Sequence, residues 1–256
     1  MKTIVMIHGM GESAWCWDNY KEFFEKKGYN CITPTLRWHD IDSRDNPNPA
    51  IGTTSLLDYV SDLEKEIDKL DEQPILIGHS MGGLLAQILA ERRSVKALIL
   101  LSPASPYGVL DLKMSILRSL SPFFRKFAFW KKPIKQDFKA MSYSMLNLCP
   151  DEEKIRIFDK LVFESGQALS EIGFWFFDPK KAAKINGDKV NCPIMFIVGE
   201  EDRITPVSIV RKIAEKYKTV SDFKVFPNHA HWLIGEPGWE KITEYIYDWI
   251  EKLDYN

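Results

Sequence analysis

A serine with glycines two places to either side, Gly78-His79-Ser80-Met81-Gly82, stands between two runs of different character. Before it lies the apolar stretch Pro74-Ile75-Leu76-Ile77. After it, Leu84, Leu85, Ile88 and Leu89 fall at helical spacing. A strand that turns sharply into a helix throws the apex side chain out at the edge of the sheet. The apex backbone is strained, and a side chain at 78 or 82 would collide across the turn. The exposed hydroxyl also meets the positive end of the new helix. Ser80 is therefore the candidate nucleophile. A serine hydroxyl is a weak nucleophile at neutral pH, so it needs a base, and the base needs an orienting carboxylate.

Two later strand ends supply both kinds of residue. Gly199-Glu200-Glu201-Asp202 follows the apolar run Cys192 to Val198, and Asn228-His229-Ala230-His231-Trp232 comes just after the run Asp222 to Phe226. By residue type alone, Glu200, Glu201 and Asp202 compete for the acid, and His229 and His231 for the base. The other histidines lack the position of a general base. His8 is expected to hold its loop, His79 to pack beside the serine, and His39 to lie at the surface. This chemistry needs no metal and no organic cofactor. The four cysteines, Cys16, Cys31, Cys149 and Cys192, show no metal or redox spacing and read as reduced, packed thiols.

Strands must carry these residues to one edge. Ile4–Ile7 is an apolar run ended by His8-Gly9-Met10-Gly11, as expected of a buried parallel strand. Trp17, Tyr20, Phe23 and Phe24 predict a helix stopped by Gly28, and Tyr29 to Thr33 a short strand. Residues 37 to 53 read as loop. Leu56, Val60, Leu63, Ile67 and Leu70 mark an amphipathic helix, with Thr53, Thr54 or Ser55 as its cap. Val95 to Leu101 is a further strand. From 103 to about 188 the alternation stops, and helices are predicted around 116–120, 123–127, 155–162 and 168–174. Strand and helix resume with Cys192 to Val198, a helix from Thr205-Pro206, Asp222 to Phe226, and a last helix over Trp239, Ile242, Ile246, Trp249 and Leu253. The expected class is α/β, a mainly parallel six-stranded sheet with helices on both faces. Residues 1–102 and 189–256 form the core, and 103–188 an inserted helical cap or lid.

Bulk composition narrows the function classes. The chain has 256 residues, 45% hydrophobic and 27% charged, which suits a globular protein with a sizeable core. A formal charge of −2 provides no field to recruit nucleic acid. The N-terminal apolar run is too short for a signal peptide, and no run reaches membrane-spanning length, so a cytoplasmic location is expected.

With these motifs in view, the chain resembles the α/β-hydrolase fold superfamily, in its compact, cap-bearing esterase/lipase-like form. The resemblance covers the core and much less of the cap. It implies the order Ser, Asp, His for the triad. The family's acid commonly sits in a strand-Gly-x-x-Asp turn, which implies Asp202. Its histidine often precedes an aromatic residue, which implies His231 before Trp232. A glycine commonly precedes that histidine, and Ala230 departs from this, which keeps His229 in question. The oxyanion hole would be the backbone N–H of Met81, after the nucleophile, and that of Met10, after the His8-Gly9 pair. Ala14-Trp15-Cys16-Trp17 is similar to the segment at this place in plant methylesterases and hydroxynitrile lyases. Those lyases carry lysine where Trp232 stands, which argues against cyanohydrin cleavage. Residues 8 to 17 also lack the proline that cofactor-free perhydrolases carry.

The implied function is a serine hydrolase that cleaves small-molecule carboxylic esters with an apolar acyl group through an acyl-enzyme. The cap adds a second theme. Residues 112–136 hold no acid, seven basic residues (Lys113, Arg118, Arg125, Lys126, Lys131, Lys132, Lys135) and interleaved aromatics. Either the apolar side covers the site while the basic stems reach outward, or the run contacts a membrane surface weakly. Phe163, Phe174, Trp175, Phe176 and Phe177 are expected to add to the roof, and Arg203 is the one cation near the catalytic loops. Two other functions remain open: a membrane-associated lipase or lysophospholipase, and a non-enzymatic small-molecule receptor on a hydrolase scaffold.

Overall fold

The computed structural model describes residues 2–110, 114–124, 127–218 and 220–254. Leu112, Lys113, Arg125 and Lys126 of the basic run lie outside the described residues. The first half of the core runs β1 (Thr3–Ile7), α1 (Asp18–Lys26), β2 (Asn30–Ile32), α2 (Leu56–Ile67), β3 (Ile75–His79), α3 (Met81–Arg92) and β4 (Ala97–Leu101). The intervening segment holds α4 (Met114–Phe124), β5 (Pro133–Ile134), α5 (Phe138–Ser144), α6 (Asp151–Phe158), β6 (Glu164–Ser165) and α7 (Gly166–Gly173). The core then closes with β7 (Ile194–Gly199), α8 (Val207–Ala214), β8 (Val220–Phe226) and α9 (Trp239–Asp254).

Six strands form one sheet in the order β2-β1-β3-β4-β7-β8, and every neighbouring pair is parallel. The expected class and the six core strands are those observed. Side chains alternate between faces because the strand period is two. Val5, Ile7, Leu76, Leu98, Leu100 and Phe196 pack on one side with α2, α3 and α8. Ile4, Met6, Ile75, Ile77, Ile99 and Ile197 pack on the other with α1 and α9. Each such side chain contributes about 1.5–3 kcal/mol on leaving water. Parallel strands all end at one edge, so the loops after β1, β3, β7 and β8 gather there. Of the three possible caps for α2, Ser55 is the one used, in a capping box with Asp58.

The segment between β4 and β7 is more intimately built in than helical spacing suggested. The run at 116–120 and Phe123–Phe124 of the run at 123–127 lie in one helix, α4. The small antiparallel ladder β5–β6 and helix α5 were not foreseen. Met141, Met145, Leu146, Ile157 and Leu161 join the cluster around α1 and α9, while Ala168, Ala182 and Ala183 join the other. Phe123, Phe129, Ile134 and Leu169 form a smaller cluster of their own.

Candidate active site

Ser80 follows β3 with φ +52° and ψ −119°, a left-handed conformation that costs about 1–3 kcal/mol unless its surroundings enforce it. Its N–H donates to the Leu101 carbonyl at 3.0 Å, and its carbonyl accepts from Gly83, Leu84 and Ala104. The glycines are required by close approach. A Cβ on Gly78 would lie 2.4 Å from the Gly82 oxygen, across the turn as expected. A Cβ on Gly82 would lie 2.1 Å from the Ile7 oxygen, so this glycine is forced by the end of β1.

Asp202 and His231 are brought together although 29 residues apart. His231 Nδ1 lies 2.9 Å from Asp202 Oδ2, and both residues are buried. Asp202 Oδ1 accepts from the N–H groups of Ile204 and Thr205, each at 2.8 Å, and Oδ2 also accepts from Thr205 Oγ1 at 2.9 Å. Burial pushes this carboxyl up, but His231 and the hydrogen bonds outweigh it and bring it down to about 2. An ionised carboxylate only accepts, so His231 Nδ1 carries its proton and Nε2 keeps a lone pair in the neutral ring. Glu200 and Glu201 are exposed, apart from this network. His229 instead places Nδ1 3.0 Å from Glu236 Oε1, which also accepts from the Ala230 N–H.

Three further histidines surround the site. His8 Nε2 accepts from the Leu36 N–H at 3.0 Å and Nδ1 donates to the Gly9 carbonyl, so the ring is neutral and ties the loop as expected. Burial and the neighbouring His39 charge bring it down to about 4. His79 meets acceptors at both nitrogens: Glu12 at 3.3 Å from Nδ1 and the His231 carbonyl at 2.9 Å from Nε2. His39 likewise faces the Arg37 carbonyl at 3.0 Å and Glu164 at 3.1 Å. A ring between two acceptors carries two N–H groups and a charge. Burial lowers both histidines, but Glu12 and Glu164 outweigh it and raise them; the two carboxylates stay below their usual range for the same reason. His39 is therefore not at the surface as its loop position suggested: it is 1% exposed. Sequence reading missed Glu12 and Glu164. Each is an isolated acid whose histidine lies 67 or 125 residues away, so no local pattern marks it.

The N–H groups of Met10 and Met81 have no acceptor among the described residues, whereas Gly9 and Gly11 beside Met10 donate to Glu12 and Glu164. Met81 opens α3. Ser80, His231, Met10, Glu12 and Glu164 line one cavity of about 660 Å³, its open mouth included. Its apolar wall is Phe123, Ile134, Met145, Leu161, Val162, Leu169 and Ile204. This differs from the expected roof. Phe163 and Phe174 to Phe177 do not line the cavity, and Phe177 is 79% exposed. Trp15 lines a neighbouring open cleft and Trp17 is core. Arg203 pairs with neither substrate space nor surface acid: it donates to the Tyr143 carbonyl and lies 4.7 Å over that ring. Among the described residues, no group of three or more His, Cys, Asp or Glu side chains is arranged to hold a metal ion. No described helix is long and apolar enough to cross a membrane.

A serine at a strained strand-to-helix apex, on the carboxyl edge of a parallel sheet, is the setting shared by one large family. Residues 4–239 match the Alpha/beta hydrolase family, and the chain belongs to it. It is similar to methylesterase 1 of Arabidopsis thaliana, 26% identical over an alignment of 223 residues that covers 79% of each chain. Two further plant relatives align at 37% and 34% identity over 84 residues, and the chain spans only 18% and 30% of their length. Among solved structures, a methylesterase from Arabidopsis superposes with a TM-score of 0.74 at 14% identity, covering 98% of this chain and 99% of that one. The monoacylglycerol lipase of Paleococcus ferrophilus gives 0.69 at 23% identity, covering 98% and 94%. Methylesterase 1 and the two solved structures carry ester-hydrolase names, whereas one of the two short plant alignments is to a norfluorocurarine synthase.

Proposed function

We propose that this chain is a serine hydrolase of small carboxylic esters with an apolar acyl group. The observation that carries the reading is the shared cavity: Ser80 at its strained apex and His231, held through Nδ1 by Asp202 at 2.9 Å, open onto the same apolar space. Ser80 Oγ attacks the ester carbonyl while His231 Nε2 takes its proton. The oxyanion accepts from the Met10 and Met81 N–H groups. The C–O bond to the alcohol breaks, His231 returns the proton to the leaving oxygen, and the acyl group stays on Ser80. Water, deprotonated by His231, attacks in turn, the acyl bond to Ser80 Oγ breaks, and His231 returns the proton to Oγ as the acid leaves. Asp202 keeps the proton on Nδ1 and stabilises the cation that forms. Residues 103–188 act as a cap that supplies the apolar wall, with 1–102 and 189–256 as the catalytic core. The methylesterase relatives support small alcohols as leaving groups.

The test is turnover of p-nitrophenyl and methyl esters of graded acyl length by the wild type and by Ser80→Ala. Loss of turnover in a folded Ser80→Ala variant supports the reading; retained turnover sinks it. A second reading, a lipase working at an anionic lipid surface, draws support from the exposed Met114, Phe127 and Trp130 of the basic run. Co-sedimentation with anionic vesicles tests it, and absence of binding removes it.

A further inference from the structure

Residues 9 to 11 are tied down on both sides of Met10. The Gly9 N–H donates to Glu12 Oε2 at 2.8 Å and the Gly9 carbonyl accepts from His8. The Gly11 N–H donates to Glu164 Oε2 at 3.2 Å, and the Gly11 carbonyl accepts from the Val162 N–H at 2.8 Å. The Met10 N–H between them has no protein acceptor among the described residues. Glu12 comes from the loop itself, whereas Glu164 comes from β6 of the inserted segment. Both line the cavity beside Ser80, and both are nearly fully buried.

Buried carboxylates are expensive, and a neutral acceptor would satisfy a glycine N–H at less cost. Charged acceptors hold a donor more tightly and fix its direction better. They carry a hazard here, since an uncompensated carboxylate would oppose an oxyanion formed in the same cavity. Each has its own cation. His79 faces Glu12 and also donates to the carbonyl of His231. His39 faces Glu164, whose other oxygen accepts from Tyr59 Oη at 2.7 Å and from the Ser165 N–H. The Glu12–His79 pair thereby connects the loop after β1, the end of β3 and the loop after β8, and Glu164 fastens the inserted segment to the loop after β1 through Gly11 and to the loop after β2 through His39.

We infer that Glu12 and Glu164 are positioning residues: together they clamp Gly9 and Gly11 so that the Met10 N–H alone is left to the substrate oxygen. This rests on the reading of Met10 as an oxyanion donor. The inserted segment is then more than a cover, since it supplies one of the two anchors of the oxyanion loop. A cap displaced from β6 would leave the loop unset.

The test uses the full chain with Glu12→Gln and Glu164→Gln. Glutamine is neutral and turns one acceptor oxygen into a donor, so at 164 it cannot satisfy both the Gly11–His39 side and the Tyr59–Ser165 side, and at 12 it loses the charge that faces His79 and holds the Gly9 N–H. For a p-nitrophenyl ester, kcat falls roughly 10–100-fold while KM stays within about threefold. The affinity of a boronic acid that forms a tetrahedral adduct on Ser80 falls by a like factor. Amide hydrogen exchange followed by NMR reads the clamp without any substrate. Glu12→Gln speeds exchange selectively at Gly9 and Glu164→Gln at Gly11, by about tenfold or more. Tyr59→Phe removes one donor to Glu164 without touching the loop and gives the same changes in smaller measure, which covers a Glu164→Gln variant that fails to fold. Unchanged glycine exchange, or wild-type kcat in the folded variants, overturns the inference. If Ser80→Ala hydrolyses ester as fast as the wild type, the functional reading falls, and the exchange pattern still decides the clamp.

Discussion

Two buried histidine–carboxylate pairs lie side by side at the carboxyl edge of the sheet, with the rings of His79 and His231 5.0 Å apart. Asp202 holds one ring at 2.9 Å and Glu12 faces the other at 3.3 Å. What separates them is the second nitrogen. His79 Nε2 donates to a backbone carbonyl, so the ring is fixed as a cation and has no lone pair to offer. His231 Nε2 has no protein acceptor among the described residues, and its ring borders the cavity that holds Ser80. A carboxylate partner therefore does not make a histidine a base; the environment of the opposite nitrogen decides. His8 marks the other extreme, locked neutral by the Leu36 N–H.

This comparison breaks most sharply at His231. Replacing it with alanine lowers kcat/KM for a p-nitrophenyl ester by at least about 10⁴-fold while the thermal midpoint stays close to wild type. Asp202→Asn comes next. Its amide donates where the carboxylate accepted, which moves the proton to Nε2, and ester turnover drops roughly 10³–10⁴-fold at neutral pH with little change in KM. The third effect is on stability and concerns His8. Its folded pKa of about 4 lies below the unfolded value near 6.5, so the unfolded chain binds the proton first. Stability attributable to His8 is present above about pH 6.5 and is lost as pH falls toward 4, by about 3 kcal/mol over that window. Denaturant titrations across this range measure it, and His8→Gln, which keeps an acceptor for Leu36, flattens the slope. The smallest change is expected at His229, two residues before the proposed base. His229→Ala leaves kcat/KM within about threefold and lowers stability by about 1–3 kcal/mol, because Glu236 loses a buried donor. A 100-fold loss of activity there would erase the distinction between the two histidines of this loop.

The sheet was legible because its strands are short apolar runs ended by glycine or a polar turn, a pattern that survives without knowledge of contacts. Ile75–His79 and Ile194–Gly199 are of this kind. Ser80 was legible for the same reason, since Gly78 and Gly82 meet steric limits set within the turn and by the adjacent strand. The preference for His231 over His229 came from the family resemblance and not from residue types, because both precede the same helix and both find a carboxylate; their positions relative to the cavity differ. The sequence places His39 in a polar loop and marks Glu12 and Glu164 with no pattern at all. A polar residue is buried when a distant partner satisfies it, and such partners leave no trace in local spacing. In the inserted segment, aromatic content predicted a roof but not which rings would form it. Phe123 faces the cavity while Phe127, four residues on, is 87% exposed.

The central claim is that Ser80 is a nucleophile activated by His231. Treatment of the wild type with a fluorophosphonate, followed by intact mass and peptide mapping, tests it most directly. The account predicts one adduct per chain, on Ser80, whose rate of formation collapses in His231→Ala and persists in His229→Ala. No adduct, an adduct on another residue, or equal labelling of the His231→Ala variant would contradict it.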